Sequence, residues 1–316
     1  MKNPKVALIQ GIPAIFDLKA GTDRALEWID KAAGKGADII LFPESFIPGY
    51  PRGMSFGTAV GKRTPKGRSL YRHYHDNSME LPGPEADRIA EKAAEAKAYV
   101  ILGVTEKDTI HGTLYCTLAY FGPDGRFLGK HRKLKPTGTE RVIWGEGDGK
   151  GLISIQTPFG VMGGLICWEN YMPLARYAMF RKGIQIYLAP TADARESWQA
   201  SMRHIAMEGR CYVMACNQYT RPEDFPAWLK EDIDEENDMH SRGGSVIVSP
   251  MGEMVAGPLL NEEGMVVAGL DMEAIPESRL DFNAAGHYNR PDVFRLDVPD
   301  QPETIIPTNR NSNRIT

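Results

Sequence analysis

A thiol at residue 167 stands where a nucleophile can be held rigidly. The apolar run 161–166 leads into Cys167, polar residues follow it, and Pro173 comes soon after. A strand that feeds a turn and a helix can fix a side chain at a sheet edge, and the first amides of that turn can point at a developing anion. A lone cysteine is more often a small buried apolar residue. Catalysis by Cys167 therefore needs support from other segments.

A carboxylate occupies a similar setting earlier in the chain. Glu44 follows Pro43 directly after the apolar run 38–42, which is typical of a buried strand. Taken alone, Glu44 suits a helix cap or a surface carboxylate better than a catalytic role. Together with a thiol and a cation it becomes a candidate general base.

The cation comes from the basic segment 131–141. Lys133 and Lys135 are two residues apart, so in a strand they share one face, and their positions alone do not separate them. Glu140 lies seven residues after Lys133 in a turn-rich stretch that can bring its carboxylate back beside the ammonium. A salt bridge from Glu140 to Arg141 is the simpler alternative.

These three segments, in this order, resemble the nitrilase superfamily of carbon-nitrogen hydrolases. The resemblance runs from residue 6 to about residue 295 and places the superfamily's Glu-Lys-Cys triad on Glu44, Lys133 and Cys167. It selects Lys133 over Lys135. It also makes Glu140 a second carboxylate that orients the lysine and shuttles protons.

Two segments, 167–170 and 286–294, look like the nitrilase branch of that superfamily. The resemblance implies a cofactor-independent enzyme that converts a small-molecule nitrile and two waters to a carboxylic acid and ammonia, through a thioimidate and a thioester on a cysteine. Tyr50, Trp168 and Asn170 are the predicted substrate-binding residues. Two alternatives stay open: an aliphatic amidase or carbamoylase of the same superfamily, and a catalytically silent assembly protein on this fold.

The composition narrows the class of protein. The chain has 316 residues, 42% of them apolar, enough for a large core, and its strand-like runs favour one domain over residues 1–295 with a tail at 296–316. A net charge of -4 gives no reason to expect a nucleic-acid partner. No apolar run is long enough to span a membrane, and the chain opens on a strand without a signal peptide, so we expect a cytoplasmic protein.

The other cysteines and the histidines do not suggest a metal site. Cys116, Cys211 and Cys216 lie in strand-like runs, where reduced and buried thiols are expected. His73 and His75 have no third ligand near them in the sequence, so a solvated loop is the better interpretation. The sequence alone does not place His287.

Strand-like and helix-like segments alternate along the chain, with more strands than helices. Strands are predicted at 6–10, 38–42, 99–105, 114–121, 126–130, 153–157, 161–167, 184–189, 212–217, 245–249 and 265–271, and helices at 23–35, 84–97, 173–182 and 196–208. This mixture suggests an α/β fold in which two stacked sheets have helices outside. That agrees with the four-layer αββα sandwich that the resemblance implies.

Two stretches are predicted to be surface loops. Residues 57–72 are basic and rich in Gly and Pro, and residues 221–238 carry an acidic run. The resemblance implies a homodimer built through the helix after Cys167 and the helix at 196–208. It further implies that dimers stack into helical filaments through insertions and tails, and the two oppositely charged loops are the candidate contacts.

Overall fold

The computed structural model describes residues 2–299 except 232 and 234–238. The strands are β1 (Lys5–Gln10), β2 (Ile39–Leu41), β3 (Thr58–Ala59), β4 (Lys62–Arg63), β5 (Tyr99–Lys107), β6 (Leu114–Phe121), β7 (Phe127–Arg132), β8 (Ile155–Thr157), β9 (Gly160–Gly164), β10 (Ile186–Thr191), β11 (Tyr212–Asn217), β12 (Tyr219–Thr220), β13 (Ser241–Val248), β14 (Met254–Leu260) and β15 (Gly264–Gly269). The helices are α1 (Leu18–Gly34), α2 (Pro65–Asp76), α3 (Pro84–Ala96), α4 (Pro173–Arg181), α5 (Glu196–Gly209), α6 (Ala227–Lys230) and α7 (Ala274–Ser278).

The strands form two mixed sheets. The first has the order β15-β1-β2-β5-β6-β7, and the second has the order β12-β13-β11-β10-β9-β8 with β14 paired to β13. Strands β1, β2 and β5 run parallel, as do β9, β10 and β11, and the remaining neighbours are antiparallel. A parallel arrangement places the ends of successive strands at one edge, where loops can bring side chains together.

Alternation along β1 shows how the first sheet is covered on both faces. Val6 and Leu8 belong to the apolar cluster that also contains Met214 of the second sheet, so they lie between the sheets. Ala7 and Ile9 point the other way, into a cluster formed with the apolar faces of α1 and α3. Every second residue therefore packs on a different layer.

The second sheet is covered in the same way. Val213 and Ala215 of β11 pack with Trp198 and Met202 of α5, in a cluster that also includes residues of α4. The molecule is therefore a sandwich of four layers, helix, sheet, sheet and helix. This confirms the predicted αββα architecture.

Residues 57–72 are not the plain loop that their composition predicted. They contain the β3–β4 hairpin and the first half of α2. The Thr64 side chain caps α2 by accepting a hydrogen bond from the Gly67 amide at 3.0 Å, and Leu70 and Tyr74 bury its apolar face. The basic residues that suggested a loop lie mainly on the exposed side of the helix.

The acidic stretch 221–238 is also more ordered than predicted in its described part. A 3-10 helix, Pro222–Asp224, and α6 place Phe225 and Leu229 in the core between the sheets. The Trp228 ring packs edge-on against His73 of α2, with 4.7 Å between ring centroids. Lys66 Nζ of the predicted basic loop also lies 3.8 Å from Glu231 Oε2 of the acidic stretch, so the two predicted loops contact each other within one chain. Residues 232 and 234–238 lie outside the described residues.

The start of the predicted tail packs on the domain. Leu296 and Val298 contact the apolar cluster beneath α4, and Arg181 donates a hydrogen bond to the Leu296 carbonyl at 2.6 Å. Leu296 and Val298 of the predicted tail therefore pack on the rest of the chain. Residues 300–316 of that tail lie outside the described part of the chain.

Some element boundaries differ from the predictions. Helix α1 begins at Leu18 rather than Asp23, because the Asp17 side chain accepts a hydrogen bond from the Ala20 amide at 2.9 Å and so starts the helix early. Strand β14 was not predicted; its exposed, mixed pattern has no clear alternation. None of the helices in the described part of the chain combines the length and apolar character needed to cross a membrane.

Candidate active site

The predicted base, cation and thiol meet between the two sheets. Glu44 follows β2 and Lys133 follows β7 in the first sheet, and Cys167 follows β9 in the second. Glu44 and Lys133 are completely buried, and Cys167 is 5% exposed. Three segments that are far apart in the chain thus deliver their side chains to one place.

Close packing holds the loop that carries Glu44. Gly103 of β5 faces this loop so tightly that an added Cβ atom would lie 2.0 Å from the Pro43 carbonyl oxygen. The Gly103 carbonyl also accepts a hydrogen bond from the Phe46 amide at 2.8 Å. A larger residue at position 103 would push the candidate base out of place.

Lys133 lies between two carboxylates. Its Nζ atom donates to Glu44 Oε1 and to Glu140 Oε2, each at 2.7 Å. Glu140 is itself oriented, because its carboxylate accepts from the Thr137 amide at 2.7 Å and from the Tyr50 hydroxyl at 2.7 Å. The structure therefore brings Glu140 beside the ammonium, as the sequence pattern suggested.

The other lysine of the pair lies elsewhere. Lys135 is about half exposed and forms an ion pair with Glu146 on the surface. Lys133 and Lys135 were expected to share one face of a strand, but β7 ends at Arg132, so strand alternation does not extend to them. Burial, rather than position in the sequence, distinguishes the two.

Cys167 begins the 3-10 helix Cys167–Tyr171 in an unusual backbone conformation. Its φ angle is 50°, a left-handed conformation that costs a non-glycine residue on the order of 1 kcal/mol. The Thr191 hydroxyl donates a hydrogen bond to the Cys167 sulfur at 3.1 Å. Such a turn presents the thiol at the end of β9, facing the ends of the first sheet.

Burial dominates the electrostatics of this cluster. It raises the pKa of Glu44, and hydrogen bonds and attraction from Lys133 only partly oppose that rise. Burial also raises the pKa of the Cys167 thiol, and the Glu44 charge raises it further. Burial disfavours the ammonium of Lys133, but the negative charge around it outweighs burial and keeps its pKa well above the usual range. The resting state is thus a neutral thiol beside a charged lysine.

Glu169 is a buried residue whose role the sequence did not reveal. Its carboxylate accepts from the Leu134 amide at 2.6 Å, from the Ile166 amide at 2.7 Å and from His131 Nε2 at 2.9 Å. It therefore fastens the segment after Lys133 to the turn that carries Cys167. The only signal in the sequence was an acidic residue two positions after the cysteine.

Cys116 also reaches the cluster. Its thiol lies 3.4 Å from Glu44 Oε1, where it donates a weak hydrogen bond, and its carbonyl accepts from the Lys133 amide at 2.8 Å. All four cysteines are free and buried, as expected for Cys116, Cys211 and Cys216. Cys116 differs from Cys211 and Cys216 because it touches the candidate base.

Asn170 does not line the cavity beside Cys167. It is completely buried, its amide nitrogen donates to the Leu165 and Cys167 carbonyls, and its oxygen accepts from the Tyr187 hydroxyl at 2.8 Å. Through these contacts the Asn170 side chain holds the turn that carries Cys167 in place. The structure thus places Asn170 behind the cysteine rather than towards a substrate.

Tyr50 and Trp168, the other two predicted substrate-binding residues, line an open cavity of about 460 Å³ with Cys167 and Glu140 on its wall. The Trp168 indole is 39% exposed and donates to Asp193 Oδ2 at 2.9 Å. Burial and the neighbouring Glu140 raise the pKa of Tyr50 well above its usual value, so its hydroxyl stays protonated. A small substrate can therefore reach the thiol between two aromatic side chains.

Within the described residues, no cluster of three or more His, Cys, Asp or Glu side chains is arranged to hold a metal ion. His73 and His75 lie in α2, not in the solvated loop that was expected. His287 packs against the Tyr288 ring at 5.2 Å and is not part of the cavity wall.

Comparison with known families settles the relationship of this chain. The model of the carbon-nitrogen hydrolase family matches residues 5–279, which is most of the chain. The chain belongs to the carbon-nitrogen hydrolase family.

Similar curated proteins place this carbon-nitrogen hydrolase in the nitrilase branch. It is 48% identical to an aliphatic nitrilase of Sinorhizobium fredii, over 96% of this chain and 98% of the relative. It is 46% identical to the bifunctional nitrilase/nitrile hydratase NIT4A of Lupinus angustifolius, over 98% of this chain and 90% of that protein. Nitrilase 3 of Arabidopsis thaliana is 47% identical over 96% of this chain and 88% of its own length.

Solved structures show the same fold at lower sequence identity. A carbon-nitrogen hydrolase from Helicobacter pylori superimposes with a TM-score of 0.74 at 18% identity, covering 92% of this hydrolase and 97% of that chain. Saccharomyces cerevisiae Nit3, a member of branch 10 of the nitrilase superfamily, gives a TM-score of 0.71 at 22% identity, covering 92% and 97% of the two chains. At these sequence identities the structural similarity supports a shared fold alone.

Proposed function

We propose that this carbon-nitrogen hydrolase is a nitrilase that converts a nitrile and two waters to a carboxylic acid and ammonia without a cofactor. The observation that carries the proposal is the buried cluster of Glu44, Lys133, Glu140 and Cys167 at the wall of an open cavity. The nitrilase names of the full-length relatives support a nitrile as the substrate.

The thiol must lose its proton before it can attack. A free thiol has a pKa of about 8.5, and here burial raises the pKa of Cys167 above its ordinary value, so the thiolate is scarce at neutral pH. Glu44 takes the proton as the sulfur adds to the nitrile carbon. Its raised pKa makes it a better proton acceptor than an exposed carboxylate.

Lys133 serves the nitrogen of the substrate. As the C–S bond forms, the nitrile nitrogen gains negative charge and takes a proton from the lysine, which gives a thioimidate. Glu44 then passes the proton that it took from Cys167 to Lys133, along the 2.7 Å hydrogen bond between the two side chains. Glu140 holds the ammonium in line throughout, and the backbone amide of Trp168 is a second candidate to stabilise the nitrogen.

Two waters complete the reaction. Glu44 deprotonates the first, which adds to the thioimidate carbon, and the tetrahedral species expels ammonia to leave a thioester on Cys167. A second water, again deprotonated by Glu44, releases the carboxylic acid and restores the thiol. If the tetrahedral species expels the sulfur instead, the product is an amide. A relative named as a bifunctional nitrilase/nitrile hydratase supports this branch as a side reaction.

The main alternative is an aliphatic amidase or carbamoylase, since an amide forms the same thioester. The full-length relatives named as nitrilases favour a nitrile, and the complete Glu44, Lys133 and Cys167 cluster favours an enzyme over a silent assembly protein. A free cysteine that acts as a nucleophile must stay reduced. This requirement suits a reducing compartment such as the cytoplasm, which we propose as the location.

The test is ammonia release from a panel of nitriles, each paired with its matching amide. We expect the nitriles to be hydrolysed faster than the amides and the Cys167→Ala variant to lose turnover while keeping its circular dichroism spectrum. Cys211→Ala is the matched control, because Cys211 is equally buried but lies in the helix-facing cluster away from the cavity. Faster hydrolysis of amides, or full activity of folded Cys167→Ala, would refute the proposal.

A further inference from the structure

The wall of the cavity beside Cys167 carries charged side chains of both signs. Glu140 on this wall pairs with Lys133, which also pairs with Glu44, so the formal charge of these three side chains sums to -1. Arg52 and Arg242 line the same cavity. A substrate that carries a charge would therefore meet attraction on one part of the wall and repulsion on another.

Arg52 is a positive charge without a matching carboxylate. Its guanidinium lies over the Tyr50 ring, 5.5 Å from the centroid, and Nη2 donates to the Ala192 carbonyl at 2.5 Å. Its Nε atom is buried without a hydrogen-bond partner. Within the described residues no Asp or Glu forms an ion pair with Arg52, so among them its positive charge is not balanced.

Arg242 adds a second cation that is only weakly compensated. Its Nε atom donates to the Ala194 carbonyl at 2.8 Å, and its nearest ionic partner is the largely exposed Glu196 at 3.4 Å. An exposed pair of this kind contributes little binding energy. The hydrogen bond to the Ala194 carbonyl, rather than the ion pair, therefore fixes the Arg242 guanidinium at the cavity wall.

The third arginine of the cavity is already neutralised. Arg195 forms a two-pronged pair with Asp193 and stacks over the Trp168 ring at 4.9 Å. Attraction and hydrogen bonds from Arg195 lower the pKa of Asp193 despite its partial burial, so this pair stays ionised and cancels in charge. Among the described residues, the weakly compensated positive charge of this cavity wall thus comes from Arg52 and Arg242.

We propose that this cavity selects nitriles that carry a carboxylate at the end remote from the cyano group, that is, ω-cyanoalkanoates. This inference rests on the proposed nitrilase function. Arginine binds carboxylates through paired, charge-assisted hydrogen bonds, and the guanidinium groups of Arg52 and Arg242 at the cavity wall are such donors. With the carboxylate at Arg52 and Arg242, the cyano group points to Cys167.

The reverse orientation is disfavoured. It would place the substrate carboxylate beside Glu44 and Glu140, where like charges repel at short range in a poorly solvated site. The charge of the cavity therefore both attracts the anionic end and directs the cyano group to the thiol.

A matched pair of substrates tests this selection. 3-Cyanopropanoate and 4-methylpentanenitrile share the cyano end and nearly the same shape, but only the first is charged, and two longer homologues of each extend the series. We expect kcat/KM of the wild-type enzyme to favour the anion by at least about tenfold, the effect of one good charge-assisted hydrogen bond. Added salt should raise KM for the anion and not for the neutral nitrile.

Variants locate the preference. Arg52→Gln should lower the ratio of the two kcat/KM values by about tenfold or more. Lys19→Gln is the control, since it removes one positive charge from an exposed position in α1 outside the cavity wall, and it should leave the ratio unchanged. Equal kcat/KM for both substrates in the wild type, or an equal loss for both in Arg52→Gln, would overturn the inference.

Binding without turnover separates this inference from the proposed function. In the Cys167→Ala variant, calorimetry should show tighter binding of 3-cyanopropanoate than of the neutral nitrile, and adding Arg52→Gln should remove the difference. That result supports the anion site even for an enzyme that hydrolyses none of the nitriles, an outcome that would refute only the proposed function. Equal binding of the two nitriles would refute the anion site itself.

Discussion

Glu44 Oε2 accepts a hydrogen bond from the Ala192 backbone amide at 3.0 Å. Glu44 belongs to the loop after β2 of the first sheet and Ala192 follows β10 of the second, so this contact joins the two sheets at the site. The other carboxylate oxygen is held by Lys133. The candidate base is therefore positioned from both sheets, and its geometry depends on how the sheets pack together.

The first prediction concerns the two lysines. Lys133→Gln should lower kcat for nitrile hydrolysis about a hundredfold or more, because it removes the cation between Glu44 and Glu140. Lys135→Gln makes the same change at a half-exposed residue and should alter kcat less than about threefold, since surface ion pairs contribute little. Steady-state ammonia release measures both. An essential Lys135 and a dispensable Lys133 would show that the assignment is wrong.

The second prediction concerns the ratio of amide to acid product. Trp168 lines the cavity, so Trp168→Phe should shift that ratio, because a bias of about 1.4 kcal/mol between two leaving groups changes it tenfold. Asn170 is buried behind the turn, so Asn170→Ala should lower the melting temperature more than Trp168→Phe does. Chromatography of the products and thermal melting check the two effects. An unchanged product ratio in several Trp168 variants would contradict the first.

The third prediction concerns pH and the buried pair of His131 and Glu169. Burial alone would lower the pKa of His131, but attraction to Glu169 and its hydrogen bond outweigh burial and raise it. The stabilisation from a raised histidine pKa is fully present below the unfolded value of about 6.5 and is lost as pH rises through the folded pKa. We therefore expect the free energy of unfolding to decline on the alkaline side of neutrality.

Glu169→Gln isolates this contribution, because the other titrating groups are common to both proteins. Urea unfolding from pH 6 to 9 should show a smaller decline for Glu169→Gln than for the wild type. The variant should also be less active, since Glu169 ties the Leu134 and Ile166 amides together on either side of the site. Parallel curves for the two proteins would contradict a charged pair.

The fourth prediction concerns assembly. We propose a homodimer formed through the surface around α4 and α5, because Leu174 is 68% exposed there and Tyr171, Met172 and Met207 are 38–41% exposed. Leu174→Glu should convert the dimer to a monomer at micromolar concentration, as light scattering would show. Ile110→Glu introduces the same charge at another exposed apolar residue, in the turn between β5 and β6 and away from α4 and α5, and serves as the control. A wild-type monomer would refute the dimer.

Growth of dimers into helical filaments is the remaining part of that proposal. The basic and acidic segments were expected to pair between subunits. They already meet within one chain, where Lys66 lies 3.8 Å from Glu231. The β3–β4 hairpin is a better candidate contact, because Val60 at its tip is fully exposed. Electron microscopy of Val60→Asp should show shorter assemblies than the wild type. Unchanged filament length would exclude the hairpin.

Local patterns in the sequence were sufficient for the layers and for the parts of the site. Short apolar runs such as 6–10 predicted strands, and the mixture of strands and helices predicted the sandwich. Glu44 and Cys167 were recognisable because each follows an apolar run. Such patterns depend only on neighbours in the chain, so the sequence carries them directly.

Only the tertiary structure showed which contacts hold these groups together. Lys133 and Lys135 have the same chemistry and nearly the same position. The family resemblance selected Lys133, and the structure gives the physical difference, which is burial between Glu44 and Glu140. The contacts of Cys116 with Glu44, and of Asn170 with the turn behind the cysteine, join residues through packing. The periodicity of apolar residues predicts which side of a helix or strand is buried, but not which distant element covers that side. Contacts between the two sheets are therefore visible only in the tertiary structure.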